Sequence, residues 1–134
     1  MWAITYVFVN KIKKAGKKIT NDRLISEITL GFWIYLCTKS YKPKLWDKKG
    51  FFELVFPNYA NNGELRKIAP IQNDLLAILR LRNRIFHHEI ILNGNKTPKE
   101  QYQLVLNMLH LLSAGMESLL QNISRFETIE KQKP

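Results

Sequence analysis

The sequence predicts an all-α fold of about four main helices plus short connecting helices, and two observations support that prediction. Apolar residues recur at three- and four-residue spacing over long segments, which is the period of an amphipathic helix. Residues that favour helix starts, such as Asn21 and Thr97, stand in front of these segments. The 134 residues are 46% hydrophobic and 24% charged, a balance typical of globular chains. We therefore expect a single domain over residues 1–134.

Two helices are predicted before residue 40. The first covers about Ile4–Lys14 and ends near Gly16. Three capping residues at 20–22 precede the second helix, which we expect to continue to about Lys39. The segment Tyr41–Asn62 then holds prolines, a glycine and large aromatic side chains. It is predicted to be an irregular connection with a short helix, held down by burial of its aromatic rings.

Two longer helices are predicted in the second half of the chain. A short helix from Glu64 leads to Pro70, and the third main helix then continues to the paired histidines at 87–88. The Asn-Gly-Asn sequence at 93–95 predicts a turn. The sequence Thr97–Glu100 combines a capping box with proline at the first helical position. A fourth helix of roughly thirty residues is expected to follow, because apolar residues keep their helical spacing throughout.

The chain is strongly basic. It has 21 Lys and Arg against 11 Asp and Glu, a formal net charge of +10 at pH 7. Such a surface attracts polyanions, so we expect RNA as a partner, and a merely soluble basic protein is the alternative. Basic residues crowd the end of the first helix and recur near residue 80, where phosphate contacts are the hypothesis and a solvated face is the alternative. The candidate RNA-binding residues are Lys11, Lys13, Lys14, Lys17, Lys18 and Arg80.

Several classes of protein and site are disfavoured. The single cysteine, Cys37, is interpreted as a packed small hydrophobe in a protein of the reducing cytoplasm, rather than as a nucleophile. The longest apolar run, Ile28–Cys37, is far shorter than the ~18 residues of a membrane span. The apolar N-terminus is followed by its basic residues, which is the wrong order for a secretory signal. The sequence has no Gly-rich phosphate loop, and we expect no cofactor.

Histidine is the remaining metal-ligand type. His87 and His88 are adjacent and point about 100° apart on a helix, so with Glu89 they could hold a metal only with help from elsewhere. We expect no metal. His110 lies beside the apolar stripe of the fourth helix and is interpreted as a satisfied core histidine rather than a ligand.

The segment at 82–89, Arg-Asn-Arg-Ile-Phe-His-His-Glu, is the strongest candidate for chemistry. One apolar stripe of the third helix runs through Leu75 and Ile78 into Arg82, and the adjacent stripe runs into Asn83. Both polar side chains therefore fall at positions predicted to be buried. A buried guanidinium is unfavourable unless it is paired or faces an opening. Sequences break the local pattern in this way mainly at functional sites.

The residue types in this segment suit cleavage of a phosphodiester bond. On a regular helix Asn83 faces His87 and Arg84 faces His88, so an amide can fix the tautomer and orientation of an imidazole. Arginine presents a planar donor fork that fits phosphate oxygens. A histidine and a fixed cation are the groups needed for metal-free cleavage in which the ribose 2′-hydroxyl is the nucleophile. The alternative is an ordinary helix C-terminus, where the helix dipole favours Arg and His.

Arg82-Asn83-x-x-x-His87 resembles the signature of HEPN domains, in which an arginine, often followed by a polar residue, shortly precedes a histidine. The longer string at 81–89 is similar to the form seen in Abi-like (abortive infection) proteins of bacteria. The segment 25–33, which ends in Gly-Phe-Trp, and the later Leu-Trp and Phe-Pro pairs at 45–46 and 56–57 resemble that family as well. Its members are usually longer at the N-terminus, so we expect this chain to be a truncated copy or the C-terminal part of a longer protein.

The resemblance implies a HEPN-like bundle that dimerises with two signatures facing one composite cleft. It implies a metal-independent endoribonuclease of toxin–antitoxin or antiphage systems, with a protein or RNA antitoxin as a further partner. By the resemblance, His87 is the general acid or base, Arg82 stabilises the phosphorane charge, and Asn83 orients the histidine or the phosphate. The secondary candidates are Arg84, His88 and Glu89. The alternatives are a non-catalytic module that binds RNA or protein, and a purely structural dimerisation domain.

The predicted fourth helix also indicates assembly. Between Leu104 and Leu120 its apolar residues spread over more than half of its circumference. A four-helix unit covers only part of such a face. We therefore expect a two-fold homodimer built on this helix and on the third helix, which carries Arg82 and His87. In the alternative, the segment Trp46–Phe56 folds over the remaining face. On one straight helix Arg82 and His87 point about 140° apart, so a partner helix or a local distortion is needed to bring both to one phosphate.

Overall fold

The computed structural model describes residues 9–10, 12–22, 25, 28–59, 67–91 and 96–132. Every regular element in these ranges is helical and none is a strand, which confirms the all-α prediction. None of the described helices is both long enough and apolar enough to cross a bilayer. The chain divides into two compact units, Met1–Leu36 and Cys37–Pro134. That residues 1–134 form one domain stays a prediction.

Residues 12–14 form a helical turn in the first unit, and the chain leaves it at Gly16. The Gly16 N–H donates to the Lys13 carbonyl at 2.9 Å, and Gly16 has a φ of +66°. Glycine adopts this left-handed conformation without a clash from a β-carbon. The helix therefore ends where the sequence predicts. The predicted start of this helix, at residues 4–8, lies outside the described residues.

The second predicted helix is interrupted. Ile28 and Thr29 are not helical, and helix α1 spans Leu30–Leu36. The Thr29 carbonyl accepts the N–H of Phe32 at 3.0 Å, so a new helix begins at this point. A continuous helix to about Lys39 is therefore a wrong prediction. Ile28 and Thr29 are β-branched, and β-branched residues lower helix propensity. The interruption is too short to change the spacing of the apolar residues.

In the second unit, short helical turns lead to a group of longer helices. A 3₁₀ turn at Lys39–Tyr41 continues into a π-helical turn at Lys42–Trp46, and helix α2 spans Phe51–Val55. The remaining helices are α3 (Ile68–Phe86), α4 (Pro98–Leu112), α5 (Ala114–Ile123) and α6 (Phe126–Glu130). The short helix predicted from Glu64 and the turn predicted at 93–95 lie outside the described residues.

A cluster of aromatic and aliphatic side chains joins the connection to the longer helices. Phe52 and Phe56 are buried in one core with Ile71 of α3 and Met108 of α4. The ring of Trp46 stacks near that of Phe56, with centroids 5.7 Å apart. Burial of aromatic rings therefore holds this irregular connection in place, as the sequence predicts.

Cys37 belongs to the same core and is 4% exposed. Burial raises the pKa of its thiol to about 11. The thiol therefore stays protonated at neutral pH and is a poor nucleophile. The interpretation of Cys37 as a packed hydrophobe is confirmed.

Helix α4 begins at the predicted capping box. The Thr97 hydroxyl accepts the N–H of Glu100 at 3.2 Å, and the Glu100 carboxylate accepts the Thr97 N–H at 2.6 Å. Pro98 occupies the first helical turn. The hydrogen bonds that Thr97 donates, first from its main chain and then from its hydroxyl, lower the pKa of the Glu100 carboxyl.

The single long fourth helix predicted from the sequence is wrong, because the chain folds back on itself. Ser113 is extended, with φ −167° and ψ 118°. Its N–H donates to the Leu109 carbonyl at the end of α4, and its carbonyl accepts the Met116 N–H at the start of α5. Tyr102 of α4 stacks on Phe126 of α6 with ring centroids 4.4 Å apart. On one continuous helix these two residues would lie about 36 Å apart. Helices α4 and α5 therefore form a hairpin, and α4 also packs against α3.

Two side-chain contacts accompany the break at Ser113. The Asn58 amide donates to the His110 carbonyl at 2.8 Å, in place of the N–H that a continuous helix would supply. His110 Nδ1 lies 2.7 Å from the Glu117 carboxylate, although residues at this spacing on a continuous helix are about 10 Å apart. The His110 side chain is 49% exposed. Its interpretation as a core histidine is therefore wrong, because the break turns the ring towards Glu117.

Candidate functional site

Helix α3 ends inside the segment at 82–89. Main-chain hydrogen bonds cap the helix at the two histidines. The Glu89 N–H donates to the Arg84 carbonyl at 2.8 Å, and the His88 N–H donates to the Ile85 carbonyl at 3.2 Å. These are the two hydrogen bonds of a Schellman motif. His88 has a φ of +55°, at the position of this motif where glycine is usual. His87 is the C-cap and lies just beyond the last helical residue.

The Phe86 side chain contacts both the predicted arginine and the predicted histidine. The Arg82 guanidinium lies 5.5 Å from the centre of the Phe86 ring, and the His87 imidazole packs against the same ring edge-on, with centroids 5.6 Å apart. Arg82 also donates to Asn83 Oδ1 at 3.2 Å. These four residues, Arg82, Asn83, Phe86 and His87, form one surface group, here called the signature cluster. The Phe86 ring at its centre is 69% exposed.

Helix α3 ends between Arg82 and His87, so the two residues do not lie on one regular helix. Arg82 and His87 would point about 140° apart on a straight helix. Here Arg82 contacts the Phe86 ring from one helical turn earlier, and His87 contacts it as the next residue in the sequence. Asn83 is linked to His87 through the main chain, since its carbonyl accepts the His87 N–H at 2.9 Å. The Asn83 side chain binds Arg82. The amide therefore orients the arginine, whereas the sequence predicted that it would face the imidazole.

Arg82 and Asn83 are exposed, so the prediction of buried positions is wrong. The stripe that leads to Arg82 packs against the core only as far as Ile78. Beyond that residue the same side of α3 is uncovered in the described chain, and Ile85 and Phe86 are exposed as well. The guanidinium is therefore solvated and needs no compensating charge.

The secondary candidates surround the Schellman motif. Arg84 is half-buried, and its Nε lies 3.8 Å from the Glu89 carboxylate, so an ion pair spans the main-chain cap. His88 and Glu89 are exposed. The segment is also a helix C-terminus with a basic last turn, as in the alternative interpretation of the sequence.

The residues predicted to bind RNA fall in both units. The exposed ones are Lys13, Lys14, Lys17 and Lys18 in the first unit and Arg80 in the second. Lys11 lies outside the described residues, and RNA binding by this set stays a prediction. Within the described ranges, no three His, Cys, Asp or Glu side chains are grouped so that they could hold a metal ion.

A cavity that the sequence does not predict is lined by α3 and by the start of α4. Its volume is about 250 Å³, and its basic lining side chains are Arg80, Arg84 and Lys96. The available signal was the pair of arginines four residues apart, which share one face of a helix. Lys96 carries no local signal, because it reaches the cavity through the packing of α4 on α3.

Comparison with known proteins does not identify a family, since no family model, curated protein or solved structure matches the chain. The resemblance to Abi-like HEPN proteins therefore rests on the residues at 81–89 and on the shorter upstream segments, and it stays a prediction. In the structure, Arg82 and His87 both contact the exposed ring of Phe86.

Proposed function

We propose that the chain is a metal-independent endoribonuclease of the HEPN type that acts in toxin–antitoxin or antiphage (abortive infection) defence. The observation that supports this most directly is the signature cluster, in which Arg82 and His87 contact the same exposed ring of Phe86. A guanidinium and an imidazole that contact one ring suit a scissile phosphate, because one stabilises charge and the other moves a proton. The net charge of +10 favours RNA as the substrate.

In the proposed reaction the ribose 2′-oxygen attacks the adjacent phosphorus, and the bond from phosphorus to the 5′-oxygen breaks. His87 accepts the proton of the 2′-hydroxyl, and Arg82 donates hydrogen bonds to the phosphorane oxygens. The leaving 5′-oxygen takes a proton from a second acid, for which the adjacent His88 is the candidate. The products are a 2′,3′-cyclic phosphate and a 5′-hydroxyl.

Phe86 is proposed to act in two ways. It fixes Arg82 and His87 relative to each other, and its exposed surface offers a platform for a base. Stacking of a base on an aromatic side chain is worth about 1–3 kcal/mol and requires an unpaired base. This favours single-stranded RNA as the substrate.

The test is cleavage of a labelled single-stranded RNA in the presence of EDTA. His87→Ala is expected to lower the rate by about 100- to 10,000-fold, because a positioned acid–base group is lost. Arg82→Ala is expected to lower it as well, because the phosphorane loses its donor. Arg125→Ala removes another exposed arginine, outside the signature cluster, and serves as the matched control. Full activity of His87→Ala, or a requirement for added magnesium, contradicts the proposal.

A non-catalytic RNA- or protein-binding module is the second candidate. The contacts of Arg82 with both Asn83 and Phe86 favour this binding function. A guanidinium held in this way can bind a phosphate without taking part in a reaction. In that case the wild-type chain binds single-stranded RNA but leaves it intact, and Phe86→Ala weakens binding. The endoribonuclease proposal further includes a cytoplasmic location, a homodimer and a protein or RNA antitoxin as partners.

A further inference from the structure

The cavity lined by α3 and the start of α4 is separate from the signature cluster. Arg80 and Arg84 line it, and Arg82 lies between them in the sequence. At about 100° per residue, the Arg82 side chain leaves the helix roughly 160° away from each of theirs. Arg82 contacts Phe86, which does not line the cavity. Helix α3 therefore presents arginines on two opposite faces, and the signature explains only one of them.

The charge around the cavity is positive. Arg80 and Arg84 come from α3, and Lys96 comes from the segment just before α4. Arg80 and Lys96 are exposed and Arg84 is half-buried, so all three groups are accessible to a ligand. Among the described residues, the one ion pair at the cavity joins Arg84 to Glu89 at 3.8 Å, which is longer than a hydrogen bond. Three cations against one carboxylate favour an anionic ligand. A phosphate can displace the Glu89 carboxylate from the Arg84 guanidinium.

The rest of the cavity wall is apolar. Ala77 and Leu81 of α3 and Leu104 of α4 supply it. Gln101 also lines the cavity, and its amide donates to the Lys96 carbonyl at 2.8 Å, which ties the segment that carries Lys96 to α4. A bare phosphate would leave the apolar wall unused. The volume of about 250 Å³ lies just below the range of roughly 300–1,000 Å³ that is typical for drug-sized ligands, and it suits one nucleotide.

We propose that this cavity binds a single nucleotide unit. Its phosphate contacts Arg80, Arg84 and Lys96, and its base or sugar lies against Leu81 and Leu104. The unit is either a free nucleoside monophosphate or one nucleotide of an RNA strand. This site goes beyond the proposed cleavage reaction and does not depend on it, because none of its contacts involves the signature cluster.

Titration of the full chain with adenosine 5′-monophosphate, followed by calorimetry or NMR shifts, tests the site. Arg80→Gln combined with Arg84→Gln is expected to weaken binding by at least about tenfold, because charge-assisted hydrogen bonds to the phosphate are lost. Ala77→Leu is expected to weaken it too, because leucine fills the cavity without changing any charge. Adenosine and inorganic phosphate should each bind more weakly than the monophosphate. Arg125→Gln is the matched control and should keep the wild-type affinity.

Competition separates the two sources of the nucleotide. If a short single-stranded RNA displaces the bound monophosphate, the cavity takes a nucleotide of the strand. If both bind together, the free nucleotide is the ligand. Arg82→Gln is expected to lower the cleavage rate and to keep the monophosphate affinity, so failure of one proposal is distinguishable from failure of the other. The nucleotide site is overturned if the wild type shows no saturable binding, or if the double arginine variant or Ala77→Leu binds as tightly as the wild type.

Discussion

His88 is the one residue other than glycine that has a positive φ among the described residues. Its φ of +55° lies in the left-handed region, at the end of helix α3 where glycine is the usual residue. A β-carbon in that conformation costs about 1–2 kcal/mol. Strained residues gather at functional sites, so histidine at this position fits a chemical role beside His87.

His88→Gly is expected to raise the free energy of unfolding by about 0.5–1 kcal/mol, because glycine takes this conformation without a clash but gains freedom in the unfolded chain. Urea denaturation measures the change. His88→Ala keeps the β-carbon and is expected to bring no gain, so equal stability of the two variants would contradict the strain. If His88 protonates the leaving oxygen, both variants also slow RNA cleavage.

The residues of the candidate site are visible in the sequence, but their surroundings are not. The resemblance predicts one site for Arg82 and His87, although their spacing places them about 140° apart on a straight helix, and both residues contact Phe86. Burial of Arg82 was predicted wrongly, because helical periodicity gives the face of a residue and not how far along the helix the neighbouring elements reach. The core contacts of that face end at Ile78. Lys96 joins the cavity through tertiary packing, which no local pattern records.

At the scale of elements, the break at Ser113 shows why helix boundaries differ in how well they can be predicted. Leu112, Met116 and Leu119 keep their spacing of four and three across the extended serine, so apolar periodicity cannot locate it. The local signal is the serine itself, a good N-cap, followed closely by Gly115, a poor helix former. The start of α4 was predictable because a capping box lies entirely within four consecutive residues.

The hydrogen bond from Asn58 to the His110 carbonyl is expected to stabilise the hairpin. Asn58→Asp keeps the shape of the side chain but removes the donor, and should lower the free energy of unfolding by roughly 1–2 kcal/mol. Asn107→Asp is the control: Asn107 accepts a hydrogen bond from the Gln103 amide at 2.8 Å, and aspartate still accepts it. Thermal or urea unfolding of the two variants gives the comparison. Equal losses would show that the Asn58 contact contributes nothing.

At the scale of the molecule, the hairpin changes the argument for a dimer. The prediction rested on a wide apolar face of one straight helix, but α4 packs against α5, and the aromatic connection shares its core with Met108 of α4. The connection therefore covers the part of α4 around Met108. The face of α5 is different. Met116, Leu119 and Ile123 recur on it at helical spacing, and all three are exposed.

A homodimer that buries this α5 face is the remaining form of the assembly prediction. Contiguous apolar side chains on one helix face mark an interaction surface, and a two-fold axis pairs such a face with itself. Light scattering at micromolar concentration should then give twice the chain mass of 15.8 kDa. Leu119→Glu should reduce it to the single mass, because a carboxylate cannot be buried unpaired. Leu54→Glu is the control, since Leu54 of α2 is 77% exposed but is not part of this face. A wild-type mass near 15.8 kDa would rule out the dimer, and RNA cleavage by that monomer would place the whole site within one chain.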